Sequence, residues 1–250
     1  MKAIDIANYT SVPTAAQCAC LKSNGYGLAI VGCSYGTLAG PQLSAFVAGG
    51  IAVEAYAWVQ FSPSWQGVLD RALAVIQNYP VKRLWLDCEG AIINTGQTVA
   101  RINAAIGYVQ SKRPDLTLGI YTGGWWWKPN TADSQAFKHM PLWTADYVQD
   151  PGHDPTGTPK LYGGWTEAAI WQYAGTIDTC GLNTDRNVIM EEDDMAITLV
   201  WNPDFQRLYV LGEAAPVWIT DPVVAADLQR AFGAPKVALS WGTLLALGAK

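Results

Sequence analysis

The chain has 250 residues, half of them hydrophobic and 15% charged, with a net charge of −5 at pH 7. That length suits one large domain or one domain with a small appendage, and the apolar share is too high for a chain disordered throughout. No run approaches the roughly 20 apolar residues of a membrane span, which excludes membrane insertion, and the pI near 4.9 argues against nucleic acid as the main partner.

Met1-Lys2 leads at once into the strand-like Ala3-Ile4-Asp5-Ile6, with no apolar core of a secretory signal. The chain therefore reads as made in a host cytoplasm, so that work outside the cell needs another export route. Further strands are expected at 28–33, 51–58, 83–88, 117–121, 142–145, 169–173 and 185–189. Between them, 64–78 sets Trp65, Val68, Leu69, Ala72, Leu73 and Ile76 on one helical face. Residues 96–111 do the same with Val99, Ile102, Ile106 and Val109, and Pro80 and Pro114 close the two helices. Near-continuous apolar strands alternating with helices imply a parallel sheet covered on both faces. Eight such strands predict an α/β fold, a modified TIM-type β/α barrel whose last three connections are too irregular for full helices.

The acidic run Glu191-Glu192-Asp193-Asp194 marks an expected boundary, giving a barrel over 1–195 and a small C-terminal α+β module over 196–250. Residues 1–195 carry the whole charge of −5 and residues 196–250 balance to zero. The tail reads as strands at 208–211, 217–220 and 236–240 with helices at 222–232 and 241–247. So short a module is expected to lean on the barrel or a partner, which leaves a monomer or a tail-mediated oligomer open.

Five cysteines at 18, 20, 33, 88 and 180 form no CxxC, and His139 and His153 are the only histidines. No zinc site is expected, and the cysteines read as buried free thiols. No GxGxxG or P-loop supports a nucleotide, so no cofactor is expected. Twelve Trp and eleven Tyr against five Phe is a different kind of signal, because amphipathic rings suit sugar faces as well as cores.

In a β/α barrel, chemistry gathers where strands end. Asp5, the pair Asp87 and Glu89, and Asp185 all stand in such runs, where burying an acid is costly unless function uses it. Asp87 and Glu89 are two apart, so on a strand both face one side with Cα atoms about 6.5–7 Å apart. Two close carboxyls cannot both ionise easily, and one raised above its usual range can donate a proton to a glycosidic oxygen.

At these residues the chain resembles the family-25 glycoside hydrolases, the N-acetylmuramidases (lysozymes) found in phage endolysins. The matching pieces run from Ile4-Asp5-Ile6-Ala7-Asn8-Tyr9 through Ala55-Tyr56-Ala57-Trp58 to Leu84-Trp85-Leu86-Asp87-Cys88-Glu89. They continue with Ile120-Tyr121-Thr122-Gly123, Pro141 to Tyr147, Ile170-Trp171-Gln172-Tyr173 and Thr184 to Val188. The resemblance implies cleavage of the β-1,4 bond from N-acetylmuramic acid to N-acetylglucosamine in bacterial peptidoglycan, with retention. Glu89 would be the general acid/base. Asp87 would orient the 2-acetamido group or attack directly, and Asp5 and Asp185 would tune Glu89 and position the sugar. Tyr56 would line the cleaved sugar's subsite.

Three consecutive tryptophans, Trp125 to Trp127, cannot all face one core, so Trp125 is a candidate glycan contact. Tyr121, Trp143, Tyr147 and Trp171 are candidate subsite walls. The resemblance further implies an endolysin released by a holin to act on the wall. A noncatalytic wall-binding barrel and a glycosidase for another N-acetylhexosamine polymer are the alternatives.

Overall fold

A computed structural model describes residues 1–59, 65–90, 95–148, 150, 152–190, 198–202, 207–211, 217–218 and 237–238. The chain divides into two compact units, Met1–Glu191 and Glu192–Lys250.

The first unit is a closed eight-stranded barrel in sequential order. Its strands are β1 (Lys2–Ile6), β2 (Tyr26–Gly32), β3 (Ala52–Trp58), β4 (Arg83–Asp87), β5 (Thr117–Gly123), β6 (Leu142–Ala145), β7 (Ile170–Thr179) and β8 (Leu182–Ile189). All eight coincide with runs expected from the sequence. Helices α1 (Ala15–Ser23), α2 (Ala39–Ala48), α3 (Trp65–Ile76) and α4 (Thr98–Lys112) cover the early strands. The apolar face expected of 64–78 is the one buried: Val68, Leu69, Ala72, Leu73 and Ile76 all face the core. A short α5 (Gly124–Thr131) opens immediately after β5. No described helix is long and apolar enough to cross a membrane.

The fully parallel sheet expected from the alternating pattern is corrected at the closure. β1 to β7 run parallel in sequence order, but β8 is antiparallel to both β7 and β1. The reason is the connection. A parallel crossover needs about a dozen residues, usually a helix, and the chain instead turns through Cys180 and Gly181, both with positive φ (58° and 75°). The resulting hairpin is held to α1 by a disulfide between Cys20 and Cys180, which corrects the expectation of five free thiols. Cys18, Cys33 and Cys88 are free and buried. Gln17 of α1 adds a hydrogen bond from Nε2 to the Gly181 carbonyl (2.9 Å), and Thr14 with Gln17 caps that helix reciprocally.

Two apolar layers hold the barrel. One lies between strands and helices and includes Ile4, Leu21, Phe46, Leu69, Ile102 and Trp127. The other fills the barrel interior, where Trp85, Tyr121 and Trp143 pack with Leu28, Ile30 and Ile170. Trp85 and Trp143 are essentially fully buried; at about 25 cal/mol per Å² and roughly 200 Å² each, they contribute up to about 5 kcal/mol apiece. This interior layer is the floor on which the polar groups of the mouth stand.

The second unit contains β9 (Thr198–Asn202), β10 (Arg207–Leu211), β11 (Val217–Trp218) and β12 (Val237–Ala238), in the order β11-β10-β9-β12. β9 was not anticipated from the sequence, and the expected helices at 222–232 and 241–247 lie outside the described residues.

Candidate active site

β1, β4 and β8 deliver the acids. Asp5 is the penultimate residue of β1 and Asp87 the last of β4, both almost completely buried, while Glu89 follows two residues later and is half-buried. Asp185 differs from expectation: it sits within β8, not at its end, directly opposite Asp5 in the register. Because β8 runs backwards, its first half lies at the mouth, and this brings Asp185 to the other acids.

β7 supplies the hub of the site. On a strand alternate residues share a face, so Gln172 points inward and Trp171 outward. Gln172 Nε2 donates to Asp5 Oδ1 (3.0 Å) and to Asp185 Oδ2 (3.2 Å). Its Oε1 accepts from the hydroxyls of Tyr121 (2.8 Å) and Tyr147 (3.1 Å). Asn187 Nδ2 donates to Asp5 Oδ1 (2.8 Å), and Trp143 Nε1 donates to Asn187 Oδ1 (2.8 Å). The Thr176 N–H donates to Asp185 Oδ1 (2.7 Å) from a backbone with φ 59°, a left-handed conformation that costs a non-glycine residue on the order of 1–2 kcal/mol. Gly175, just before it, leaves room: a Cβ there would lie 3.1 Å from the Tyr147 hydroxyl. Gly32 does the same for Tyr56, whose ring would be 2.7 Å from an added Cβ.

Burial raises every acid of the group. Asp5 is pushed up to about 8, first by burial and then by the charge of Asp185, while its bonds from Asn187 and Gln172 act the other way. Asp87 is driven well above the usual carboxylate range by burial and by Glu89 and Asp5. Glu89 is raised by burial and by the charge of Asp185, with the Tyr121 hydroxyl opposing. Asp185 is raised by burial, against the Thr176 N–H. Buried acids of this kind hold protons at a pH where exposed ones have lost them.

One oxygen stands apart: Asp87 Oδ1 is buried and has no hydrogen-bond partner among the described residues. Trp58 Nε1, at the end of β3, is likewise buried and unpartnered. An unmade bond of this sort costs about 1–3 kcal/mol, and a bound substrate can supply both partners. Among the described residues, no group of three or more His, Cys, Asp or Glu is placed to hold a metal ion.

The aromatic candidates divide. Tyr56 is half-buried at the mouth, Tyr121 is buried within the network, and Trp125 (63% exposed) and Tyr147 (60%) present open faces. Trp143 and Trp171 are corrected: at 1% and 4% exposed, neither offers a ring to a sugar. Trp143 lies beneath the site, its ring 4.4 Å from that of Tyr121 and 6.1 Å from that of Tyr56. Trp171 packs on the outward face with Tyr173 and Ala174 and donates to the Asp146 carbonyl (2.7 Å). Sequence reasoning missed Gln172, Asn187 and Trp58, and also the exposed Tyr9, which follows β1.

The sequence model of the family described as Glycosyl hydrolases family 25 matches residues 4–182, most of the chain, ending at the first residue of β8. The chain belongs to glycosyl hydrolases family 25. Two curated relatives from Dictyostelium discoideum agree with that placement. "Probable GH family 25 lysozyme 3" is 25% identical over 199 residues, 74% of this family 25 chain and 40% of the relative. "Probable GH family 25 lysozyme 2" is 26% identical over 201 residues, 75% of this chain and 91% of the relative. The chain thus spans well under half of the first and nearly all of the second. Among solved structures, the CTP1L endolysin superposes with a TM-score of 0.59 at 17% identity, covering 96% of this chain and 81% of the other. The Clostridium perfringens spore cortex lytic enzyme SleM gives 0.61 at 16%, covering 85% and 76%. At those identities the likeness is one of fold: the modified barrel is the family 25 barrel.

Proposed function

We propose that this family 25 chain is a lysozyme that cleaves the β-1,4 bond between N-acetylmuramic acid and N-acetylglucosamine in peptidoglycan with retention of configuration. The observation that carries the reading is the convergence of Asp5, Asp87, Glu89 and Asp185 at one mouth of the barrel, with Glu89 half-exposed and raised. Its lysozyme relatives support the substrate class.

Glu89 donates its proton to the glycosidic oxygen as the bond to the anomeric carbon breaks. The unpartnered Asp87 Oδ1 accepts the N–H of the sugar's 2-acetamido group and turns its carbonyl oxygen onto the anomeric carbon, from the face opposite the leaving group. Glu89, now a carboxylate, takes a proton from water, whose oxygen displaces the acetamido group and restores the original configuration. Direct attack by Asp87 gives the same stereochemistry. Its high burial and raised affinity for a proton favour the orienting role, since a protonated acid is a poor nucleophile.

Glu89→Gln keeps the shape but has no proton to give, and is expected to lose at least about 100-fold in wall hydrolysis while melting normally. Asp87→Asn is expected to lose comparably. Near-wild-type activity of Glu89→Gln removes Glu89 from the role, and mass spectrometry of products from purified walls checks the bond. The same reading sets the enzyme in a phage lysis system, released from the host cytoplasm by a holin to act on the wall. Lysis by the chain co-expressed with a holin, and none without one, tests that.

A further inference from the structure

The amide of Gln172 has two N–H donors and two lone pairs on its oxygen, and in this structure each meets a group of the catalytic mouth. The donors go to Asp5 and Asp185, and the oxygen receives Tyr121 and Tyr147. Carboxylate oxygens of Asp5 and Asp185 at one amide atom require that atom to be the nitrogen, so the amide has one orientation. Gln172 is 1% exposed and joins residues from β1, β5, the segment after β6 and β8.

We propose that Gln172 is a positioning residue of the glycosidase: its single amide holds Asp5 and Asp185 as charge-accepting partners on one side and the Tyr121 and Tyr147 hydroxyls on the other, and through them governs when Glu89 carries its proton. This rests on the reading of Glu89 as the general acid.

The groups facing Glu89 or the amide are Asp5 on β1, Asp87 on β4, Tyr121 on β5, Tyr147 after β6 and Asp185 on β8. An N–H donated to a carboxylate favours its charged form, so Gln172 stabilises charge on Asp185. That charge is the second cause, after burial, that keeps Glu89 protonated. Tyr121 works in the same direction. Its hydroxyl donates to Gln172 at 2.8 Å and also favours the Glu89 anion; without the amide acceptor it turns wholly to Glu89 and favours that anion more. Losing the amide therefore acts twice with one sign. Asp185 becomes easier to protonate, Glu89 becomes easier to deprotonate, and the general acid is lost at a lower pH.

The test compares Gln172→Met, which keeps length but has neither donor nor acceptor, with Gln172→Glu, which keeps the oxygen and can donate only while protonated. On soluble wall fragments, Gln172→Met is expected to lower kcat about 10- to 100-fold with KM within about 3-fold, and to move the alkaline limb of the pH profile down by about one unit. Gln172→Glu donates one bond while protonated and, once ionised, adds a charge that raises Glu89, so it is expected to recover part of kcat on the acid side without the downward shift of Gln172→Met. Should Gln172→Met fail to fold, Gln172→Leu, which likewise has neither donor nor acceptor, carries the same expectations. In Gln172→Met or Gln172→Leu, limbs that stay in place while the whole profile scales down, or a rise in KM with kcat unchanged, overturn the proposal. Glu89→Gln measured in parallel separates the two readings. Its inactivity leaves Gln172 as the variable under test, whereas its activity overturns the assignment of Glu89 whatever Gln172 does.

Discussion

Asp5 shows what the site costs the molecule. Folded, it keeps its proton up to about 8, whereas its ordinary value is 3.8. Between those values the folded state binds a proton that the unfolded chain has released, so stability from this group is highest below 3.8 and falls as the pH rises through 8. Asp5→Asn removes the titration and keeps an Oδ1 acceptor for Gln172 and Asn187. It is expected to melt a few °C higher than wild type at pH 8 and alike at pH 4, with wall hydrolysis reduced. Equal melting at both pH values would show that Asp5 imposes no such burden. The four acids were legible in the sequence because charge inside a β run is expensive. Gln172 was not, since a neutral amide between Trp171 and Tyr173 carries no such alarm. Strand parity supplies the missing signal: if Gln172 faces in, Trp171 faces out. Parity does not supply depth, which is why Trp143 reads from the sequence as a candidate subsite wall although it lies buried against Tyr56 and Tyr121.

At the scale of elements, the β7–β8 hairpin carries Gln172, Thr176, Asp185 and Asn187, and the bond from Cys20 to Cys180 ties its tip to α1 across a separation of 160 residues. Closing so long a loop stabilises by about 4–5 kcal/mol in the chain-entropy picture. Cys20→Ser is expected to lower the melting temperature by on the order of 10 °C. A thiol reductant should do the same to the wild type and nothing further to Cys20→Ser, which calorimetry with and without reductant would read. An unchanged melt would mean that the Gln17 contact and strand pairing hold the hairpin unaided. The pairing was invisible in the sequence because five scattered cysteines allow many partners and only the fold brings these two Cα atoms to 5.9 Å. The direction of β8 was more nearly legible, because the short stretch 174–184 has no helical face and cannot make a parallel crossover.

For the whole molecule, charge bears on how the proposed lysozyme would reach a bacterial wall. Residues 1–195 carry −5 and bacterial walls are largely anionic, so long-range attraction does not recruit it. Short-range contacts must, and residues 196–250 are neutral and hold Trp201, Trp218, Trp241 and Tyr209. With that module as the wall-binding part, a chain ending at Asp194 is expected to fold, to cleave soluble fragments and to sediment poorly with intact walls. Equal cosedimentation of the two lengths would overturn recruitment by the tail. A lowered melting temperature with aggregation would assign residues 196–250 to stability instead. The barrel itself was legible strand by strand, since period and apolar runs report burial directly. The tail was less so, because short strands such as β9 leave little pattern to read.

The backward-running β8 also sets a clock. It is the last strand of the barrel to be made, and Asp5, among the first residues made, meets Asp185 only when β8 pairs with β1. A nascent chain therefore has no complete set of acids until residue 189 has left the ribosome, however well its earlier strands have formed. Ring closure and completion of the four-acid set are one event, so under the proposed reading a translation product that stops short of it is expected not to cleave walls.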